Sequence, residues 1–189
     1  MHVSKRLVFG AILCMIPLAA WAFVKPVRVL LPQLEGLACD ELVCVDDTSR
    51  RVEATQLYRD AVDSVQASVG TLHSLPRGVF CATPACSEKF GFRTALAYDV
   101  GTFAVVISHR GWRPYLVRHE LIHHLQNERL GWLRARLFKP EWWREGMAYS
   151  LSRDPRKSLP EPLQTYRSQF EAWFSQVGAA KLWAEAEQL

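Results

Sequence analysis

The stretch His119-Glu120-Leu121-Ile122-His123 constrains this chain more than any other. Its polar groups act together in one local conformation. On an α-helix, residues four apart lie on one face, one turn above each other. The two imidazoles can then meet at a single point, with the Glu120 carboxylate one step round the helix. The surroundings agree with a helix. Pro114 suits a first turn, and Gly131 after Leu130 suits a stop. Between them Tyr115, Leu116, His119, Ile122, His123 and Gln126 recur at intervals of three and four.

The pattern H-E-x-x-H is that of two metal-binding imidazoles with a carboxylate base between them. Neutral imidazoles suit Zn²⁺, and a fourth, open position would leave a water near neutral pKa. With six His and 12 Glu in 189 residues, a match by accident has odds of roughly 1 in 100. The competing reading is a helix whose histidines are ordinary core or surface residues. A third ligand separates the two. Downstream runs Trp142-Trp143-Arg144-Glu145-Gly146-Met147-Ala148, with Glu145 placed 22 residues after His123.

Together these blocks resemble the gluzincins, the thermolysin-like zinc metallopeptidases. In that family a Glu on a second helix, about twenty residues after the second His, completes the ligand set, often within Glu-Gly-x-Ala. The resemblance spans about residues 100 to 155. It implies that His119, His123 and Glu145 bind Zn²⁺ and that Glu120 is the general base. Small residues at Gly146 and Ala148 are expected to let the second helix approach the first. The family often has an Asp four residues after the Glu ligand, orienting a zinc-binding His. Tyr149 stands there in this chain, which leaves Asp99 and Asp154 as candidate partners of the imidazoles. A gluzincin also usually supplies a Tyr or His for the developing oxyanion. Tyr149 is the first candidate, with Tyr166 and His109 behind it. His124 is rotated about 100° from His123 and is not expected to be a ligand.

Residues 23–189 carry 21 basic and 19 acidic side chains, a balance of +2, which is no signature of nucleic-acid binding. Residues 129–157 are locally basic. A solvated face is the default reading, with contact to acidic substrate or anionic lipid as the alternative.

The N-terminus has the form of a targeting segment. Lys5-Arg6 precedes an uncharged apolar run from Leu7 to Val24, and Ala20-Trp21-Ala22 fits a cleavage site. The same 18 residues would just span a bilayer. Residues 1–24 are therefore a cleaved signal or a retained membrane anchor, and residues 25–189 the exported domain, at a periplasmic or extracellular face. Leu13 before Cys14 argues against a lipoprotein site. Four further cysteines, Cys39, Cys44, Cys81 and Cys86, form an even set of the kind that pairs in exported chains. Three connectivities are open. The local one, Cys39–Cys44 with Cys81–Cys86, is favoured because each pair brackets a turn-like stretch; a four-cysteine zinc site is the rival.

The rest reads as an α+β domain, a small mixed or antiparallel sheet packed on helices. Strands are expected at Pro26–Leu31, Gly78–Ala82, Thr94–Tyr98 and Thr102–Ser108, with a turn at Asp99-Val100-Gly101. An amphipathic helix through Leu57, Ala61, Val62, Val65 and Val69 ends at Gly70. Ser158-Leu159-Pro160-Glu161 has the form of a capping box opening a helix through Leu163, Tyr166, Phe170, Trp173, Phe174 and Val177. A last short helix falls around Trp183.

The resemblance further implies that an extended peptide adds to the strand feeding the motif helix, along Phe103 to Ser108. The expected activity is hydrolysis of peptide bonds in a peptide or protein substrate. Two rival functions are a membrane-tethered, zinc-stabilised binding or assembly factor without catalysis, and a zinc hydrolase of non-peptide bonds.

Overall fold

The structure is a computed structural model, described here for residues 24–189. The expected signal or anchor therefore lies almost entirely outside the described residues. The fold is α+β, built on one five-stranded mixed sheet. Its strands are β1 (Ala38–Asp40), β2 (Val43–Val45), β3 (Arg77–Phe80), β4 (Ala97–Val100) and β5 (Ala104–Ile107). They lie in the order β1-β2-β3-β5-β4. The inner pairs β2–β3 and β3–β5 are parallel; the outer pairs β1–β2 and β4–β5 are antiparallel.

Among the described residues seven α-helices surround the sheet: α1 (Arg51–Ser68), α2 (Pro84–Lys89), α3 (Pro114–Leu130), α4 (Trp132–Leu137), α5 (Glu141–Leu151), α6 (Leu163–Val177) and α7 (Leu182–Gln188). Strand alternation sorts the core into two layers. Val43, Val45, Phe80, Val105 and Ile107 face α1 and α3, meeting Ala61, Val65, Leu121, Ile122 and Leu125 in the larger core. Cys44, Val79, Ala104 and Val106 face the other way, onto Phe90, Phe92, Val29 and Leu37. β5 is buried along its whole length because both of its faces are covered.

Both disulfides are the local ones. Cys39 and Cys44 face each other across the β1–β2 hairpin, and Cys81 joins Cys86 on α2. They suit an exported chain. No helix among the described residues is long and apolar enough to cross a membrane.

Several expectations need correction. Residues 25–30 form a 3₁₀ turn, not a strand. Pro26 and Pro32 lack donors for a ladder, and Arg77 Nη1 donates to the carbonyls of Val29 and Leu30. The strand expected at Thr94–Tyr98 sits later, at Ala97–Val100, because Arg110 holds the carbonyls of Arg93 and Thr94 out of the sheet. The turn follows at Gly101, where φ is +54°. The capping box at Ser158 does not form, and α6 begins after Pro162. Pro162 disfavours a helical Glu161, so the helix cannot run through it. Glu161 instead accepts from the Thr165 amide and hydroxyl, and Gln164 accepts from the Leu159 amide.

Candidate metal centre

α3 holds the motif as the sequence predicts, and it is among the most buried elements of the molecule. His119, Glu120 and His123 are all buried, while Leu121, Ile122 and Leu125 anchor the opposite side of the helix in the core. α5 crosses α3 and carries Glu145 toward the same point.

Three ligand atoms converge. His119 Nε2 lies 3.1 Å from His123 Nε2, and Glu145 Oε2 lies 3.7 Å from the first and 3.5 Å from the second. Tetrahedral ligands at ordinary zinc–nitrogen and zinc–oxygen lengths stand about 3.3 Å apart. The triangle therefore fits one metal ion without rearrangement. His119, His123 and Glu145 form the one group of this kind among the described residues.

The outer contacts of the site come from residues that the sequence reading did not assign. His123 Nδ1 lies 2.9 Å from Gln126 Oε1, and Gln126 Nε2 donates to the Arg144 carbonyl at 3.0 Å. The second bond fixes which end of the amide faces the imidazole. An oxygen facing Nδ1 requires Nδ1 to carry the proton, which leaves the Nε2 lone pair of neutral His123 facing Glu145. Glu145 is held from its other oxygen, Oε1, by Arg144 Nη1 at 3.0 Å. Asp99 and Asp154, the expected partners, are engaged elsewhere. Asp99 accepts from Asn127, and Asp154 is clasped by Arg156. Asp154 acts on His119 through its charge.

Charge and burial tune the groups. Burial pushes His119 below its ordinary value, despite the nearby Glu145 carboxylate that opposes the shift. Burial also disfavours the charged form of His123, but Glu145 outweighs it by hydrogen bond and charge, and the imidazole is raised. Glu145 is buried too, yet the two imidazoles hold its carboxyl well below the usual range. Glu120 is pushed up to about 8, first by burial and then by the negative charges of Asp99 and Glu145. Its carboxyl makes no hydrogen bond to a protein group among the described residues, and it lines the cavity beside the ligands.

That cavity, about 350 Å³, lies between β4 and the helices α3 and α5. Tyr149 borders it, its ring centroid 4.5 Å from that of His119 and edge-on to it. Burial and the Glu145 charge raise the Tyr149 hydroxyl, so it keeps its proton at neutral pH. The other two oxyanion candidates lie elsewhere. His109 pairs with Ser87, and Tyr166 donates its hydroxyl to Glu141. His124 points away from the ligands, with Nε2 2.9 Å from the Ser74 carbonyl.

Two expectations about the cleft change. β5 cannot receive an extended peptide, because β3 and β4 already pair with both its edges. The free edge on this side of the sheet belongs to β4, and Ala97, Tyr98 and Asp99 on it line the cavity. Gly146 does not serve the approach of α5 to α3. A Cβ there would stand 2.2 Å from the Tyr166 carbonyl oxygen and 2.7 Å from Phe170 Cβ, so its absence seats α6.

Comparison with known proteins adds no relative: no protein-family model matches the chain, and neither a curated protein nor a solved structure is similar to it.

Proposed function

We propose that this protein is an exported zinc-dependent peptidase. The observation that carries the reading is the convergence of His119 Nε2, His123 Nε2 and Glu145 Oε2 to within 4.8 Å, at a cavity that also receives the buried Glu120. The donor set, two imidazoles and one carboxylate with room for a further ligand, is that of catalytic rather than structural zinc. When bound, Zn²⁺ supplies Lewis acidity toward a carbonyl and toward water.

The chain's own residues do the rest. Glu120 takes a proton from the attacking water at its carboxyl and later returns it to the leaving amine. Its carboxyl lines the cavity beside the ligands with no hydrogen bond to a protein group among the described residues to hold it, so it can reach a water there. Gln126 and Arg144 hold His123 and Glu145 in place, so the ligands need no reordering. Tyr149 keeps its hydroxyl proton and borders the cavity, as a donor to a developing oxyanion must. The free edge of β4 offers backbone groups to an extended peptide substrate. The resemblance to gluzincins rests on the same residues.

The test is metal content and hydrolysis together. Purified wild type should hold one zinc per chain and cleave members of a peptide library. Glu120→Ala should keep the zinc and lose the cleavage. Wild-type protein that folds without binding zinc would overturn the reading. A zinc-stabilised binding factor predicts instead that Glu120→Ala changes nothing while His119→Ala destabilises. A zinc-loaded protein that spares every peptide but cleaves another class of bond would be a hydrolase of that bond.

A further inference from the structure

All the large exposed apolar side chains among the described residues fall in three segments, except Val52, Leu75 and Leu189. The first segment is the entry of the chain, with Val24, Leu30, Leu31 and Leu34. The second is the β4–β5 turn, with Phe103. The third is α4 and the residue after it, with Trp132, Leu133, Leu137 and Phe138. The last two are 67% and 74% exposed, far more than a packed helix leaves uncovered.

The three segments are neighbours. Arg77 joins the first two, its guanidinium on the Val29 and Leu30 carbonyls and its amide on the Phe103 carbonyl. The Trp132 ring lies beside Gly101 in the β4–β5 turn. Pro26, Phe103 and Trp132 together border a second cavity of about 430 Å³, which opens beside His123. The segments that carry the exposed apolar groups therefore adjoin one another, with Pro26, Phe103 and Trp132 at the cavity mouth.

Charge and chain direction identify what covers this face. Residues 129–140 contain Arg129, Arg134, Arg136 and Lys139 and no acidic residue. Arg134 and Arg136 stand exposed among Leu133 and Leu137. The first segment adds the exposed Lys25, while its Arg28 is paired with Glu35. Interleaved apolar and cationic side chains fit a bilayer with anionic headgroups: the apolar groups enter the acyl boundary while the cations meet phosphate. The uncharged run of residues 7–24 leads directly into Pro26, on the rim of this same face.

We infer that this face, formed by residues 24–34, Phe103 and α4, docks on an anionic membrane surface, with residues 7–24 as the tether. The docking is independent of the metal chemistry. Given the reading of the metal centre above, it sets the cavity mouth at the lipid surface and selects membrane-proximal stretches of protein as substrate.

The experiment uses the full chain in vesicles of phosphatidylcholine and phosphatidylglycerol carrying acyl-chain bromine, a short-range quencher of tryptophan. The readout is the difference in quenching between wild type and Trp132→Phe, which cancels Trp21 and the other tryptophans. Wild type should be quenched more than Trp132→Phe. The difference should shrink in vesicles of phosphatidylcholine alone, and vanish when Leu137→Ser and Phe138→Ser are added to both proteins. Both added substitutions are at exposed positions, and circular dichroism confirms the fold. Equal quenching of wild type and Trp132→Phe overturns the inference. So does a concentration-dependent dimer in detergent that Leu137→Ser/Phe138→Ser abolishes, together with no Trp132 quenching, because the face then belongs to a second copy. Zinc content and peptide cleavage are unaffected by either result, so failure here is distinct from failure of the peptidase reading.

Discussion

Gln126 is the residue whose role is easiest to overlook and easiest to test. Its amide oxygen faces His123 Nδ1 while its nitrogen is tied to the Arg144 carbonyl. Gln126→Ala should weaken zinc binding by about 10–100-fold, as loss of such a partner does elsewhere. Gln126→Glu should recover only part of it, since a carboxylate still accepts from Nδ1 but cannot donate to the Arg144 carbonyl. Competition with a chelator measures both. The proton on His123 makes a second prediction. Glu145 raises that imidazole, and a metal ion must displace the proton from Nε2. Zinc affinity should therefore fall as pH falls, by up to roughly tenfold per unit once His123 is protonated. In the metal-free protein the same pair carries a stability signature. The raised His123 contributes stability that is complete below its ordinary value and lost as pH rises through its raised value. The depressed Glu145 contributes stability that is complete above its ordinary value and lost in acid. Urea midpoints across pH in chelator should show both edges, and His123→Gln should remove the alkaline one.

At the scale of elements, the site depends on α5 being pinned from behind. Trp143 is fully buried and packs edge-on to Trp183 of α7, and Trp142 meets Trp173 of α6 in the same way. Gly146 lets the α6 backbone lie against α5. Gly146→Ala would drive a methyl into the Tyr166 carbonyl. It should destabilise by about 1–3 kcal/mol or more, read as a lowered melting temperature. Because Glu145 is the neighbouring residue, the same change should also weaken zinc binding. The elements differ in how much the sequence announced them. α1 and α3 are long enough for the three-and-four periodicity to be seen. β1 and β2 have three residues each, and α2 and α4 six, too few for any period to register. The strand expected at residues 26–31 had the right alternation, but no neighbouring strand was there to pair with it.

Across the whole molecule, the two disulfides close short loops on one face of the sheet, in the smaller core layer. Each bridge spans five residues, so each should contribute about 2 kcal/mol through the unfolded chain. Reduction should lower the urea midpoint accordingly while leaving the metal triangle, which lies on the other side of the sheet, intact. The apolar and cationic face around α4 is also a property of the whole molecule. The basic stretch at 129–157 is visible in the sequence, yet much of it is occupied within the fold. Lys139 is buried against the Glu187 carbonyl, and Arg156 holds Asp154. Arg134 and Arg136 remain exposed beside Leu133, Leu137 and Phe138, as do Arg153 and Lys157 at the far end of the stretch.

The sequence by itself determined the face of α3 that could hold a metal ion, because the spacing of His119 and His123 becomes shared direction through helix geometry alone. It also determined the even cysteine set and the α+β class. It named Glu145 only through resemblance, since nothing local ties a carboxylate to imidazoles 22 residues away. Tertiary packing brought that carboxylate to within 3.7 Å of both rings. It gave the open edge to β4 rather than β5, because strand order follows from how the chain crosses the sheet and not from any strand's composition. And it chose Gln126 and Arg144 over Asp99 and Asp154, because a partner is decided by which atoms arrive at hydrogen-bonding distance, a fact that exists only once the helices are packed.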